Sequence, residues 1–313
     1  MRIAIIGAGG VGGYFGGRLA QAQEDVIFIA RGEHLHAIQT QGLRVESLKG
    51  DFTIQPAQAS DDPAGVGVVD AVLVAVKAWQ VPDAARHIQP LVGPETFVVP
   101  LENGVEAPGQ LAAVLGAQHV LGGLCRIVSF IATPGQIRHA AMEPYVAFGE
   151  LDNHPSERAE RLRHAFERAG VSAEIPANIQ VALWEKFLFI VSISGVGAIT
   201  RAPAGVIRSL PQTRQMLEQA LREALAVGRA RGVPLADETV TRIMTMIDHS
   251  AAGSTASMQR DIMNGRPSEL EYQTGTIVRL GQEAGVATPV HTFIYQSLLP
   301  QERRARGEID WPE

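Results

Sequence analysis

The stretch RIAIIGAGGVGGYFGG, Arg2 to Gly17, decides the fold. Its apolar run Ile3-Ala4-Ile5-Ile6 shows no alternation, as a parallel strand reads when helices cover both faces of the sheet. Gly7, Gly9 and Gly12 then fit G-x-G-x-x-G. In that motif the first glycine permits a tight turn, the second lets backbone approach a pyrophosphate, and the third lets helix and strand pack closely. The loop Gly7-Ala8-Gly9-Gly10-Val11-Gly12 would therefore present helix N–H groups and the positive end of a helix dipole to phosphate. Any glycine-rich strand–helix turn can match this motif. Its placement before a second strand, Asp25-Val26-Ile27-Phe28-Ile29-Ala30, completes a βαβ unit and favours a dinucleotide.

The residue after that strand refines the reading. A site that prefers NAD has Asp or Glu there to hold the ribose 2′-hydroxyl, whereas this chain has Arg31. A guanidinium suits a 2′-phosphate, so the expected cofactor is NADP(H). The alternative is that Arg31 is a solvated residue opening the next helix. Further apolar runs follow at 70–76 and 96–101, with a sixth strand expected at 119–123. Polar clusters end two of them, Lys77-Ala78-Trp79-Gln80 and Glu102-Asn103-Gly104, where open α/β sheets bind ligands. Antiparallel strands are expected between about 127 and 150, turning at Thr133-Pro134-Gly135 and Glu143-Pro144.

From Ala177 the pattern becomes helix after helix. Asn178 is a candidate cap for a helix from Ile179 to Ile199. Pro211, Asp237, Thr255 and Thr288 read as later starts, and Gly232, Gly265 and Gly285 as stops. The expected fold is thus α/β, a Rossmann-type doubly wound sheet over residues 1–176 followed by an all-helical domain over 177–313.

Composition narrows the partners. With 27 Lys+Arg against 33 Asp+Glu the net charge is −6, and no basic block suggests nucleic acid or an anionic membrane as a partner. The lone cysteine, Cys125, cannot form an intrachain disulfide, which favours a reducing, cytoplasmic setting. A strand pattern stands where a signal peptide would need a charged segment and a long apolar one. The nine histidines form no H-E-x-x-H, so no metal is expected, and His34-x-His36 falls on a presumed surface helix. A histidine acid would have to be His139 or His249, neither of which has a motif around it.

Two lysines stand in unusual company. Lys77 ends a strand in the expected crevice. Lys186 interrupts the apolar helix, and its stem either packs on the core with the ammonium reaching out, or is buried with a chemical task. Phe187–Ile199 is too short for a membrane span and suits a core helix in which Gly195, Gly197 and Ala198 allow close packing.

Together GAGGVGGYFGGRLA, Arg31, VKAWQ at 76–80, ENG at 102–104, LWEKF at 183–187 and the SMQRD and SELEY strings between 257 and 272 resemble the ketopantoate reductases, the 2-dehydropantoate 2-reductases. The resemblance spans nearly the whole chain. It implies an NADPH-binding domain, a helical domain, a cleft active site between them, and reduction of 2-dehydropantoate to (R)-pantoate in pantothenate synthesis. It implies that Lys186 is the general acid and that Glu269 contacts substrate hydroxyl and cofactor. Asn103 would lie near nicotinamide and substrate, Lys77 beside the cofactor, and Ser257 on the substrate. Glu269 read alone could equally complement a helix dipole. The resemblance lapses at Ile190, Ser194 and Ala204, where the family usually has substrate-binding asparagines. A different, bulkier or branched 2-oxo acid is therefore the alternative substrate. A silent NADP(H)-binding protein would need only the glycine loop and Arg31. Helical second domains of this kind often form homodimers.

Overall fold

The structure, a computed structural model, describes residues 1–310. It divides into two compact units, Met1–Ala182 and a second from Leu183 onward. In chain order the first unit contains β1 (Arg2–Ile6), α1 (Gly10–Gln21), β2 (Asp25–Ile29), α2 (Gly32–Gln41), β3 (Leu43–Ser47), β4 (Phe52–Ile54), β5 (Gln58–Ser60), α3 (Pro63–Val66), β6 (Ala71–Val74), α4 (Val81–His87), β7 (Phe97–Pro100), α5 (Ala107–Leu115), β8 (Leu121–Thr133), β9 (Gln136–Glu150), α6 (Glu157–Arg168) and β10 (Ser172–Glu174).

The first sheet is wholly parallel, in the order β5-β2-β1-β6-β7. Its strands lack alternation because both faces are covered. Ile3, Ile5, Phe28 and Leu73 pack with Tyr14, Phe15 and Leu19 of α1. Ala4, Ile6, Ile27 and Val74 pack with Val81, Ala85 and Leu111 from the helices of the other face. The expected sixth strand joins this sheet only through one parallel bridge, Val98 to Val120. From Leu121 the backbone instead pairs antiparallel with β9, so the segment opens the second sheet.

That second sheet, β10-β9-β3-β4 with β8 on β9, contains the antiparallel pair expected between 127 and 150, and β3, β4 and β10 join it through pairings without a signal in the sequence pattern. The β8–β9 hairpin closes at Gly135, whose φ is +77°. The second turn expected at Glu143-Pro144 lies inside β9, as an irregularity in which the register slips and Met142 takes φ +69°. A bulge of this kind lets a strand carry proline without a ladder donor.

Helix α1 lies between the two sheets, and its glycines mark both contacts. A methyl on Gly16 would stand 2.6 Å from Phe28 and 2.7 Å from Ile5 of the first sheet, and one on Gly12 would stand 2.1 Å from the Gly7 carbonyl oxygen. A methyl on Gly13 would meet Ile137 at 2.7 Å, and one on Gly17 would meet Phe52 at 3.1 Å, both from the second sheet. Positions 12 and 16, and 13 and 17, are helical i,i+4 pairs, so two adjacent stripes are bare. Most of the glycine cluster is thus a packing device, and only its first members form the loop.

Beyond β10 come α7 (Ile179–Thr200), α8 (Ala204–Ser209), α9 (Pro211–Ala230), α10 (Thr239–His249), α11 (Ser257–Met263), α12 (Thr276–Ala284) and α13 (Pro289–Ala305), with a π-helical turn at Glu271–Gly275. Asn178 caps α7, its Oδ1 accepting from the Val181 N–H at 3.0 Å. Gly232, Gly265 and Gly285 follow helix ends with φ of +84°, +64° and +67°. Helices α10 and α11 start two residues after Asp237 and Thr255, whose side chains meet arginines and not the helix N–H groups. Asp237 accepts from Arg229 at 2.6 Å and Thr255 from Arg260 at 3.1 Å. The 22-residue α7 has the length and apolarity of a membrane span, but every residue from Val191 to Ala198 is buried within the protein.

Gly16→Ala tests the sandwiched helix. It gains helix propensity of up to about 1 kcal/mol, but overpacking against Phe28 and Ile5 costs about 1–3 kcal/mol. The expected result is a thermal midpoint lowered by a few degrees in calorimetry. A raised midpoint would show that α1 does not touch the first sheet this closely.

Candidate active site

Parallel register sets four candidate segments along one edge of the first sheet. Ile6 pairs with Ile29 on one side and Val74 on the other, and Val74 pairs with Pro100. The glycine loop, Arg31, Lys77 and Asn103 therefore all leave the sheet at its carboxyl edge, with β1 at the point where the strand order reverses. Backbone bonds extend this row past the strands, from Gly7 N–H to Ile29 O at 3.0 Å and from Ala75 N–H to Ile6 O at 2.8 Å. Glu102, buried below Asn103, accepts from the Val76 N–H at 3.2 Å and joins the two polar turns. Asn103 is half-buried. Lys77 is exposed, its Nζ 5.7 Å from the centre of the Trp79 ring.

Within the loop, packing separates structural from ligand-facing glycine. Gly7 has φ +88° and would clash with the Ala75 carbonyl oxygen, and a methyl on Gly10 would stand 2.3 Å from the Ser129 carbonyl oxygen. Gly9 differs: its φ is −69°, and no atom lies within 4 Å of an added methyl. Neither backbone angle nor protein packing demands glycine there. The open face of Gly9 at the start of α1 suits close approach of a pyrophosphate. Arg31 is exposed and its guanidinium makes no hydrogen bond or ion pair among the described residues, leaving it free for a phosphate. These residues fit a phosphorylated dinucleotide. Among them no metal-type cluster of three or more His, Cys, Asp or Glu occurs in the described chain.

The helical unit carries Lys186, Ser257 and Glu269. Lys186 is half-buried; on the same turns Leu183, Trp184 and Phe187 are buried, and the Trp184 and Phe187 rings meet edge to face at 5.8 Å. Gly228 of α9 lies against Trp184, where a methyl would come within 2.8 Å. Glu185 pairs with Arg242 of α10, its Oε2 accepting at 3.1 Å. The neighbours of Lys186 thus fix the first turns of α7. Ser257 opens α11 and is half-buried. Gly197 lets α11 close on α7, since a methyl there would stand 2.6 Å from Gln259 Oε1.

Glu269 is held by groups the sequence reading missed. The Gln273 amide donates to Glu269 Oε2 at 3.2 Å, and Ser194 Oγ lies 2.8 Å from Gln273 Oε1, all three residues being buried. The preceding Ser268 donates its N–H to Glu302 at 3.0 Å, and Arg306 donates to Glu302 at 2.7 Å and to the Ser268 carbonyl at 2.8 Å. Glu and Gln four residues apart on a helix are neighbours, so the 269–273 pair had a local signal. Glu302 had none, because it is distant in sequence. His139 is no free acid: Ser47 Oγ lies 2.9 Å from its Nδ1, and the Met142 carbonyl 2.7 Å from its Nε2.

Comparison with known proteins identifies the lineage. The ketopantoate reductase PanE/ApbA family model matches residues 3–153, and its C-terminal model matches residues 178–302. The chain belongs to the ketopantoate reductase family. It is 32% identical over 309 residues to the uncharacterized oxidoreductase YkpB of Bacillus subtilis, covering 96% of this chain and 99% of that protein. It is 29% identical over 312 residues to a 2-dehydropantoate 2-reductase of Nostoc, covering 97% and 96%. A PanE/ApbA family ketopantoate reductase structure from Ralstonia eutropha superposes with TM-score 0.89 at 31% identity, covering 98% and 100% of the two chains. This member is an oxidoreductase that takes a nicotinamide cofactor, NADP(H), and a small keto acid.

Gly9→Ala should fold with an unchanged thermal midpoint yet bind NADPH about ten- to hundredfold more weakly in a fluorescence titration. An intruding methyl at a close contact costs about 1–3 kcal/mol. Unaltered affinity would place the pyrophosphate elsewhere.

Proposed function

We propose that the enzyme reduces 2-dehydropantoate to (R)-pantoate with NADPH, with Lys186 as the proton donor. The observation that carries this reading is the setting of Lys186, half-buried on a helical turn that the buried Leu183, Trp184 and Phe187 seat in the core and that Glu185 ties to Arg242. When bound, the cofactor supplies a hydride to the carbonyl carbon of the 2-oxo acid. Lys186 then gives a proton from its ammonium to the carbonyl oxygen, so C=O becomes CH–OH, and the lysine regains a proton from water. An ammonium held at that oxygen stabilises the developing alkoxide before it is neutralised. Glu269 is proposed to contact the substrate hydroxyl and the cofactor, its carboxylate oriented by Gln273. Asn103 and Ser257 would position the substrate.

The loop residues Gly7, Ala8, Gly9, Gly10, Val11 and Gly12 would hold the pyrophosphate, with Arg31 on the 2′-phosphate and Lys77 beside the cofactor. A cytoplasmic location fits a lone cysteine and a reduced cofactor.

A second reading keeps the chemistry and changes the substrate. Ser194 is fully buried and its hydroxyl is taken up by Gln273 and the Ile190 carbonyl, so it cannot replace an asparagine that reaches a substrate. Ile190 and the buried Ala204 offer no side-chain donor either. A site with fewer donors and more apolar surface favours a bulkier 2-oxo acid.

Steady-state assays separate the readings. Lys186→Ala should lower kcat by about 10²–10⁴-fold, the usual contribution of a positioned acid, while the NADPH dissociation constant stays within about twofold. Normal turnover in that variant would remove Lys186 from its role. A panel of 2-oxo acids ranked by kcat/KM identifies the substrate, and a clear preference for 2-dehydropantoate would exclude the second reading.

A further inference from the structure

His34, in the first turn of α2, bridges the glycine loop and the tip of the β8–β9 hairpin. Its Nε2 lies 2.7 Å from the Ala8 carbonyl oxygen and its Nδ1 3.0 Å from the Gly135 nitrogen. A carbonyl oxygen only accepts and a backbone N–H only donates, so the two contacts assign the ring. Nδ1 accepts from Gly135, and the proton sits on Nε2 and is donated to Ala8. The neutral imidazole carries a donor and an acceptor on one rigid ring, so a single side chain spans both contacts.

The consequence for the loop follows from peptide geometry. The Ala8–Gly9 bond is trans, since the one cis bond among the described residues is Gln55–Pro56. In a trans peptide the C=O and the following N–H point in opposite directions. Holding the Ala8 oxygen therefore sets the direction of the Gly9 N–H. Gly9 is the residue with nothing packed against it, and glycine by itself leaves that peptide plane poorly defined. The far end of the bridge is firm. The Gly135 carbonyl accepts from the Arg44 N–H of β3 at 2.9 Å, and a methyl on Gly135 would stand 3.0 Å from Ala37 Cβ of α2.

We propose that neutral His34 is a positioning residue for dinucleotide binding. It holds the Ala8–Gly9 peptide so that the Gly9 N–H is presented to the pyrophosphate, and it ties that loop to the helix that begins at Arg31. The inference rests on the glycine loop being the pyrophosphate site, a reading that Gly9→Ala tests separately.

The experiment compares His34→Met and His34→Gln in the full-length protein. Both side chains have high helix propensity, but only the Gln amide retains a donor and an acceptor. NADPH is titrated by fluorescence, and adenosine 2′-phosphate, which lacks a pyrophosphate, by competition. His34→Met should weaken NADPH binding about five- to tenfold, the scale of one lost hydrogen bond. It should leave adenosine 2′-phosphate affinity within about twofold, raise the KM for NADPH and spare kcat at saturation. His34→Gln should recover most of the NADPH affinity. Unchanged NADPH binding in His34→Met overturns the proposal if Gly9→Ala has weakened binding. So does an equal loss in both His34 variants, or a loss that extends to adenosine 2′-phosphate in step with a lowered thermal midpoint. If Gly9→Ala also binds NADPH normally, the loop reading itself is wrong.

Discussion

Helix α1 touches two sheets at once, and the rest of the N-terminal unit depends on that contact. Bare backbone at Gly12 and Gly16 meets the first sheet, and bare backbone at Gly13 and Gly17 meets the second. Side chains on those stripes would hold the sheets apart, and the cluster of Ile3, Phe28, Ile137, Val146 and Phe166 could not close around one helix. The same helix begins at the loop that is left open at Gly9. Rigid seating of α1 is therefore what gives the loop a fixed position, and the hairpin carrying Gly135 is part of that seat.

The helical unit solves a different problem, that of holding a carboxylate at a buried position. Burying Glu269 without partners would be costly. Gln273 supplies a donor from one side, placed by a π-helical turn, a feature often found where a helix serves a site. On the other side Glu302 and Arg306 hold Ser268 and so fix the backbone that leads into Glu269. Ser194 completes the chain of contacts from α7. Ser194, where the resemblance implies a substrate-binding asparagine, is turned towards protein. The change links the carboxylate's support to the helix that bears Lys186.

Much of the architecture was legible because its signals are local. Unbroken apolar strands, the spacing of Gly7, Gly9 and Gly12, the Asn178 cap and the glycine stops all act within a few residues. Of the second sheet only the β8–β9 hairpin was legible. Strands β3, β4 and β10 are short, and β3 pairs with a partner some ninety residues away in β9. The Glu143-Pro144 signal reads as a turn because proline interrupts any strand pattern, whereas pairing with β8 before and after it keeps β9 continuous around a bulge. His34 looked like a surface residue, since neither of its two partners lies within twenty residues of it.

The sequence by itself determined the class of fold and the lineage, and it marked the candidate cofactor loop and the residues of the candidate chemistry, because each is written in short strings with fixed spacing. Only the tertiary structure decided which glycine is open to a ligand, which carboxylate supports which, and that a histidine braces the loop. Those facts depend on what stands opposite a residue across the fold, and a linear pattern carries no record of that.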